Sequence, residues 1–229
     1  MLRWALAAWL PLAGAGCRSE PVAPPPREPD FQDELAQSGE WIVVAPYGRV
    51  WHPHRRIVGQ GFAPYLTGGE WKYGEDGWTF ETKWPWAKIA YHHGRWFFAD
   101  DLDWLWVPDT VWGPAWVDWR FGGGFVAWSP LAPVAKTARA RPAPWFWVKT
   151  RFFTQGGLER NLLSREEAAK AEEVAPPLAA TAESYKAGPP ADAVRAEGGG
   201  DVSAGPPDAG PPPAATKKHG NKKKKKSRP

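Results

Sequence analysis

Tryptophan density limits what this chain can fold into more than any other feature. Fifteen of its seventeen Trp lie between Trp41 and Trp147. Each buried Trp removes roughly 150–250 Å² from water, so these rings alone can build a large core. Trp and Phe suit a pleated surface and pair across strands. The 26 Pro and 24 Gly point to turns and arms rather than long helices. The reading is mainly β: a meander of short antiparallel strands, forming an open sheet or a partial barrel.

The Trp follow an irregular repeat. Gly-x-Trp recurs at Gly39-Glu40-Trp41, Gly69-Glu70-Trp71 and Gly94-Arg95-Trp96. Trp-x-Pro recurs at Trp51-His52-Pro53, Trp106-Val107-Pro108 and Trp128-Ser129-Pro130. Repeats of this size mark one supersecondary unit used several times. Each unit reads as a hairpin. Trp41 to Ala45 is extended, Pro46-Tyr47-Gly48 turns, and Arg49-Val50-Trp51 resumes. Arg95 to Phe98, Asp100 to Asp103 and Trp104 to Val107 repeat that order. Phe125 to Trp128 is a further strand after the glycines at 122–124. The Pro of each Trp-x-Pro ends a ladder.

The ends differ in kind from the middle. Met1-Leu2-Arg3 carries one positive charge, and Trp4 to Gly16 runs uncharged into Cys17, the only cysteine. A basic start, a short apolar run and small residues make a signal-peptide layout over 1–16. Thirteen uncharged residues fall short of the ~20 that a membrane-spanning helix needs. Residues 17–38 hold five Pro between Pro21 and Pro29 and read as a semi-rigid linker. The Trp-rich block spans 39–155. One short C-terminal helix is expected in 156–175, where Ser164 and Glu167 fit a capping box ahead of Arg165 to Val174. From 176 to 229 the chain is Ala, Pro, Gly and charge, a composition that reads as an unstructured arm. The last sixteen residues hold eight Lys or Arg and no acid, which leaves −4 for the rest of a chain whose net charge is +4. That balance argues against nucleic acid as a partner of the fold itself.

Two resemblances follow from these residues. Leu12-Ala13-Gly14-Ala15-Gly16-Cys17 resembles a bacterial lipoprotein signal, with Gly14 where that pattern carries Leu. The resemblance implies cleavage before Cys17, its lipidation, and a membrane anchor. By similarity to Gram-negative lipoproteins, Arg18 and Ser19 after the Cys imply the outer membrane. The tract Trp112-Gly113-Pro114-Ala115-Trp116-Val117-Asp118-Trp119-Arg120, with Gly122 to Leu131 after it, resembles Trp-rich bacterial envelope proteins of unknown function. Tyr91-His92-His93-Gly94-Arg95-Trp96 is similar to their repeated Tyr-Gly-x-Trp unit. This resemblance implies an envelope location and no chemistry. Gly94-Arg95-Trp96-Phe97-Phe98 is also loosely similar to choline-binding repeats, whose aromatics cage a quaternary ammonium, but the spacing here is uneven.

No catalytic set assembles from the sequence. His52 and His54 have no third ligand, so a polar turn explains them better than a metal. Asp100, Asp101 and Asp103 lack the Gly and the distal Glu of a calcium loop. His92-His93 reads as a strand cap facing water. The glycines at 122–124 lack the Lys of a phosphate loop and read as a tight turn. No cofactor or metal is implied. The Trp are too many for a core alone, so some should be exposed for binding, and Trp112, Trp116 and Trp119 are the candidates. Trp116 and Trp119 differ by an odd number, so on a regular strand one packs and the other faces out. Lys217, Lys218, Lys222, Lys223, Lys224, Lys225 and Lys226 are candidates for holding an anionic polymer, against the simpler reading of a solubilising tail. The expected function is a lipid-anchored envelope module that binds without catalysis, possible ligands being envelope glycan or an anionic polymer. The alternatives are a secreted soluble protein holding nucleic acid or another polyanion by its Lys arm and, more remotely, a hydrolase without a recognisable motif.

Overall fold

The Gly-x-Trp units are hairpins built on one steric device. A computed structural model of the chain describes residues 31–134, 140–179, 188–200 and 202. Strands β1 (Gly39–Val44) and β2 (Gly48–Pro53) form the first hairpin, β3 (Gly69–Gly74) and β4 (Gly77–Thr82) the second, and β5 (Arg95–Ala99) and β6 (Asp103–Val107) the third. The register sets Trp41 opposite Trp51, Trp71 opposite Phe80, and Trp96 opposite Trp106. In each hairpin the second aromatic ring then lies over the glycine two residues before its partner. A Cβ on Gly94 would stand 2.7 Å from Trp106 Nε1, and one on Gly39 or Gly69 would run into Trp51 or Phe80. The glycine is there because the ring, together with a partner-strand carbonyl (His52 O, Glu81 O or Val107 O), takes the space of a side chain. Gly94 also has φ +69°, a conformation that L side chains rarely adopt.

A fourth hairpin joins β7 (Val117–Gly122) to β8 (Phe125–Pro130), with Trp119 opposite Trp128. Its loop is Gly123-Gly124, both at positive φ, as a two-residue turn of this kind requires. This is the tight turn expected at 122–124. Strand β9 (Ala140–Arg141) adds to β5, and β10 (Phe146–Lys149) adds to β8. Three open antiparallel sheets result, ordered β1-β2-β6-β5-β9, β10-β8-β7 and β3-β4. The first and third Gly-x-Trp hairpins share a sheet through Trp51 opposite Trp106. The second hairpin stands apart as its own sheet. Pro53 and Pro130 close β2 and β8, and Pro108 follows β6, so each Trp-x-Pro does end a strand.

The core lies where these sheets face one another. Trp51, Trp71, Trp78, Trp96, Trp106 and Trp128 are fully buried there, with Tyr65, Tyr91 and Phe153. Rings meet mostly edge-on or tilted, as in Trp71 against Trp119 at 4.7 Å, with stacked pairs such as Trp84 and Trp86 at 5.2 Å. The four-residue helix α1 (Gln32–Leu35) precedes β1, and α2 (Arg55–Val58) and α3 (Ala87–Ala90), of the same length, lie in the connections between hairpins.

The polar edges of these rings hold the loops. The carbonyls from the end of α3 onward receive side-chain donors in succession. Trp96 Nε1 donates to Ala90 O at 2.9 Å and the Tyr65 hydroxyl to Tyr91 O at 3.0 Å. Trp116 Nε1 donates to His92 O at 2.8 Å and Trp106 Nε1 to His93 O at 2.7 Å. The last carbonyl of α3, Ala90 O, has no partner within the helix and takes one from Trp96, and the loop carbonyls after it are served in the same way. Trp51 likewise donates to Leu35 O at the end of α1, and Trp78 to Pro189 O.

Two expectations change. The capping box at Ser164 and Glu167 does start α4 (Arg165–Val174), whose Ala171 packs with Ala175 against Ala127 and Trp147. However, α4 is one helix among several short ones. The chain after Pro176 is also not structureless throughout. Leu178 N donates to Trp119 O, Gly188 sits against Trp78 and Trp119, and α5 (Ala191–Ala196) buries Val194. The Glu197 carboxylate accepts from Gly124 N and from the Thr150 hydroxyl. Average composition hides this, because three scattered residues (Leu178, Val194 and Val202) land on an aromatic surface that the hairpins have already built. The core also reaches back past Gly39 to Phe31 and Leu35.

If the ring-over-glycine contact sets the hairpin, Gly94→Ala costs about 3 kcal/mol or more, combining positive-φ strain with overpacking. Gly48→Ala has the same sign of φ (+74°) but open space around it, and costs only about 1 kcal/mol. Urea unfolding of both variants checks this; equal losses would contradict the packing argument.

Candidate functional site

The second hairpin and the loop after β6 enclose a groove of about 570 Å³. Alternation along β3 and β4 sorts their side chains into two faces. Trp71, Tyr73, Trp78 and Phe80 share the inward face, and Lys72, Thr79 and Glu81 the outward one. Residues of both faces reach the groove. Tyr73, Phe80 and Trp84 supply its apolar surface. Glu75 and Asp76 in the turn, and Lys83 and Lys88 beyond the far end, supply charge. Lys72 is paired with Glu70 at 2.8 Å.

Trp112 and His92 make the opposite wall. Their rings stack at 5.5 Å and 13°. His92 Nδ1 lies 3.0 Å from Gly113 O, while Gly113 N donates to His92 O. The Asp109 carboxylate accepts from Thr110 N and Val111 N, which turns the chain into this loop. Trp112 is half-buried, so part of its ring remains open to the groove.

Of the three Trp candidates, only Trp112 has this position. Trp116 is buried with the Arg95 guanidinium 3.4 Å above its ring. Trp119 is buried between Trp71 and Phe153. The odd-spacing argument fails because Trp116 precedes β7 and is not part of the regular strand. Trp145, 37 % exposed and 5.7 Å from the Arg120 guanidinium, is an open indole that sequence reasoning missed. Its place directly after Pro144, at the entry to β10, was the available signal. Cys17, Lys217, Lys218 and Lys222 through Lys226 lie outside the described residues.

The histidines also differ from expectation. His92 and His93 are both buried rather than facing water. His93 lies 5.3 Å from the Phe31 ring, and its Nδ1 has no hydrogen-bond partner among the described residues. Burial holds its pKa below the ordinary 6.5. His52 faces Glu40 at 3.4 Å. Asp100 pairs with Arg141 at 2.6 Å, and Asp103 pairs with Arg55. Among the described residues no three His, Cys, Asp or Glu gather to hold a metal, and no helix is long and apolar enough to cross a membrane.

Residues 32–135 match the profile of DUF6600, a family of unknown function. That match takes in all three Gly-x-Trp hairpins, the groove and Trp112, and ends before β9, β10 and the helices that close the core. No curated protein and no solved structure matches the chain.

The buried His93 carries a pH signature. Its folded pKa is lowered, so the unfolded chain binds the proton first on acidification. The stability from a neutral His93 is full above about pH 6.5 and is lost as pH falls from there toward the lowered folded value. His93→Gln should flatten this part of the stability curve between pH 7.5 and 5. A difference between the two proteins that does not vary with pH would contradict the assignment.

Proposed function

We propose that this protein is a lipid-anchored component of the bacterial cell envelope whose Trp-rich domain binds envelope glycan without catalysing a reaction. The observation that carries the binding reading is Trp112. Nearly every other indole of the domain is used up in the core, whereas this one is held half-open on the wall of a groove. An aromatic face beside a few polar groups in a concave site is the usual form of a small-ligand pocket, and a sugar ring can stack on such a face. Lys72, Lys83 and Lys88 meet Glu75, Asp76 and Glu81 around it, so the groove does not select a simple polyanion.

The anchor reading rests on the signal-like 1–16 segment and on Cys17. Labelled palmitate should enter the wild-type protein and be lost on Cys17→Ala. Labelling of neither protein would favour the secreted, Lys-arm alternative.

For the binding reading, titrating wild type with peptidoglycan fragments should shift the intrinsic fluorescence. Trp112→Ala should weaken binding at least ~10-fold, since losing an interaction worth about 1.4 kcal/mol is already tenfold. Its melting temperature should stay near wild type. Binding unchanged in Trp112→Ala, or absent from wild type, would overturn the reading.

A further inference from the structure

Resting on that reading, we infer that the groove takes an amphoteric chain, a peptide-bearing amino sugar, with its amine toward the hairpin turn and its carboxylates toward the hairpin base. The charges of the groove are separated along its length. Glu75 and Asp76 occupy the two-residue turn between Gly74 and Gly77. Lys83 follows Thr82 at the other end of β4, and Lys88 lies on α3 beside it in the lining. Five residue steps from Gly77 to Thr82 at about 3.4 Å each separate the two ends by roughly 17 Å.

These four side chains are available for a ligand. Among the described residues none of Glu75, Asp76, Lys83 and Lys88 enters an ion pair, in contrast to Lys72, which Glu70 holds. Glu81 stands near the base and offsets part of the lysine charge, yet two lysines face one acid there. Trp112 and Tyr73 lie on the lining shared by both ends and suit a ring in between. A neutral sugar chain would leave both charged ends unused, and a polyanion would meet Glu75 and Asp76. An amine and a carboxylate carried on one chain satisfy both.

The test uses detergent-solubilised full chain and calorimetric titration with two probes: a disaccharide-tetrapeptide muropeptide, and chitotetraose as a neutral glycan without peptide. Glu75→Gln with Asp76→Asn, and separately Lys83→Gln with Lys88→Gln, should each weaken muropeptide binding about three- to tenfold, as expected when two exposed charges are removed together. Both losses should vanish near 1 M salt, where the Debye length is about 3 Å. Chitotetraose affinity should not change. Muropeptide binding unaltered in either double variant overturns the two-ended charge recognition and leaves glycan binding by Trp112 standing. If wild type binds neither probe, both readings fall.

Discussion

Indole N–H groups bonded to loop carbonyls are the interaction on which this fold depends. An indole core brings large apolar area, but each ring also carries one donor that must find an acceptor when buried. Loops that cross a core have the opposite problem, since their carbonyls need donors. Around Ala90 to His93 each need answers the other, because Trp96, Trp106 and Trp116 donate to carbonyls of one short segment. Tyr65 joins them, with its hydroxyl on Tyr91 O and its ring stacked on Tyr91 at 4.7 Å. It does so at φ +61°, a conformation that costs a bulky residue about 1–3 kcal/mol and persists only where its surroundings enforce it. The arrangement is not complete: Trp41, Trp71, Trp86 and Trp128 bury their N–H without a protein partner among the described residues.

The same segment ties fold to site. Its His92 carries the Trp112 ring on one side and, through its carbonyl, receives Trp116 and Gly113 N. The groove wall is therefore fastened to a segment that four aromatic side chains tie into the core. The other wall belongs to the second hairpin, which joins neither of the larger sheets. One face of that hairpin supplies Trp71 and Phe80 to the core, and its turn and far end remain free to carry charge.

Strand positions were readable from sequence because Gly-x-Trp and Trp-x-Pro are local rules. A ring over a glycine and a proline at a strand end need only the hairpin itself. Exposure was less readable because it depends on the other elements. Trp116 and Trp119 look alike in the chain, but Arg95 covers one and Phe153 covers the other. His92 and His93 read as polar cap residues until α1 and the Trp112 loop close over them. The segment around Val194 reads as spacer because its few apolar residues gain meaning only once they join the aromatic core. The groove was not readable at all, since it joins residues 72–88 to Trp112 across the fold.

Hydrogen exchange at the indole nitrogens, followed one Trp at a time by NMR, tests this account most directly. If the bonds around Ala90 to His93 hold the domain together, the N–H groups of Trp96, Trp106 and Trp116 exchange only when the whole domain unfolds, while those of Trp112 and Trp145 exchange far faster. Exchange of the first three at rates matching Trp112 and Trp145 would contradict it.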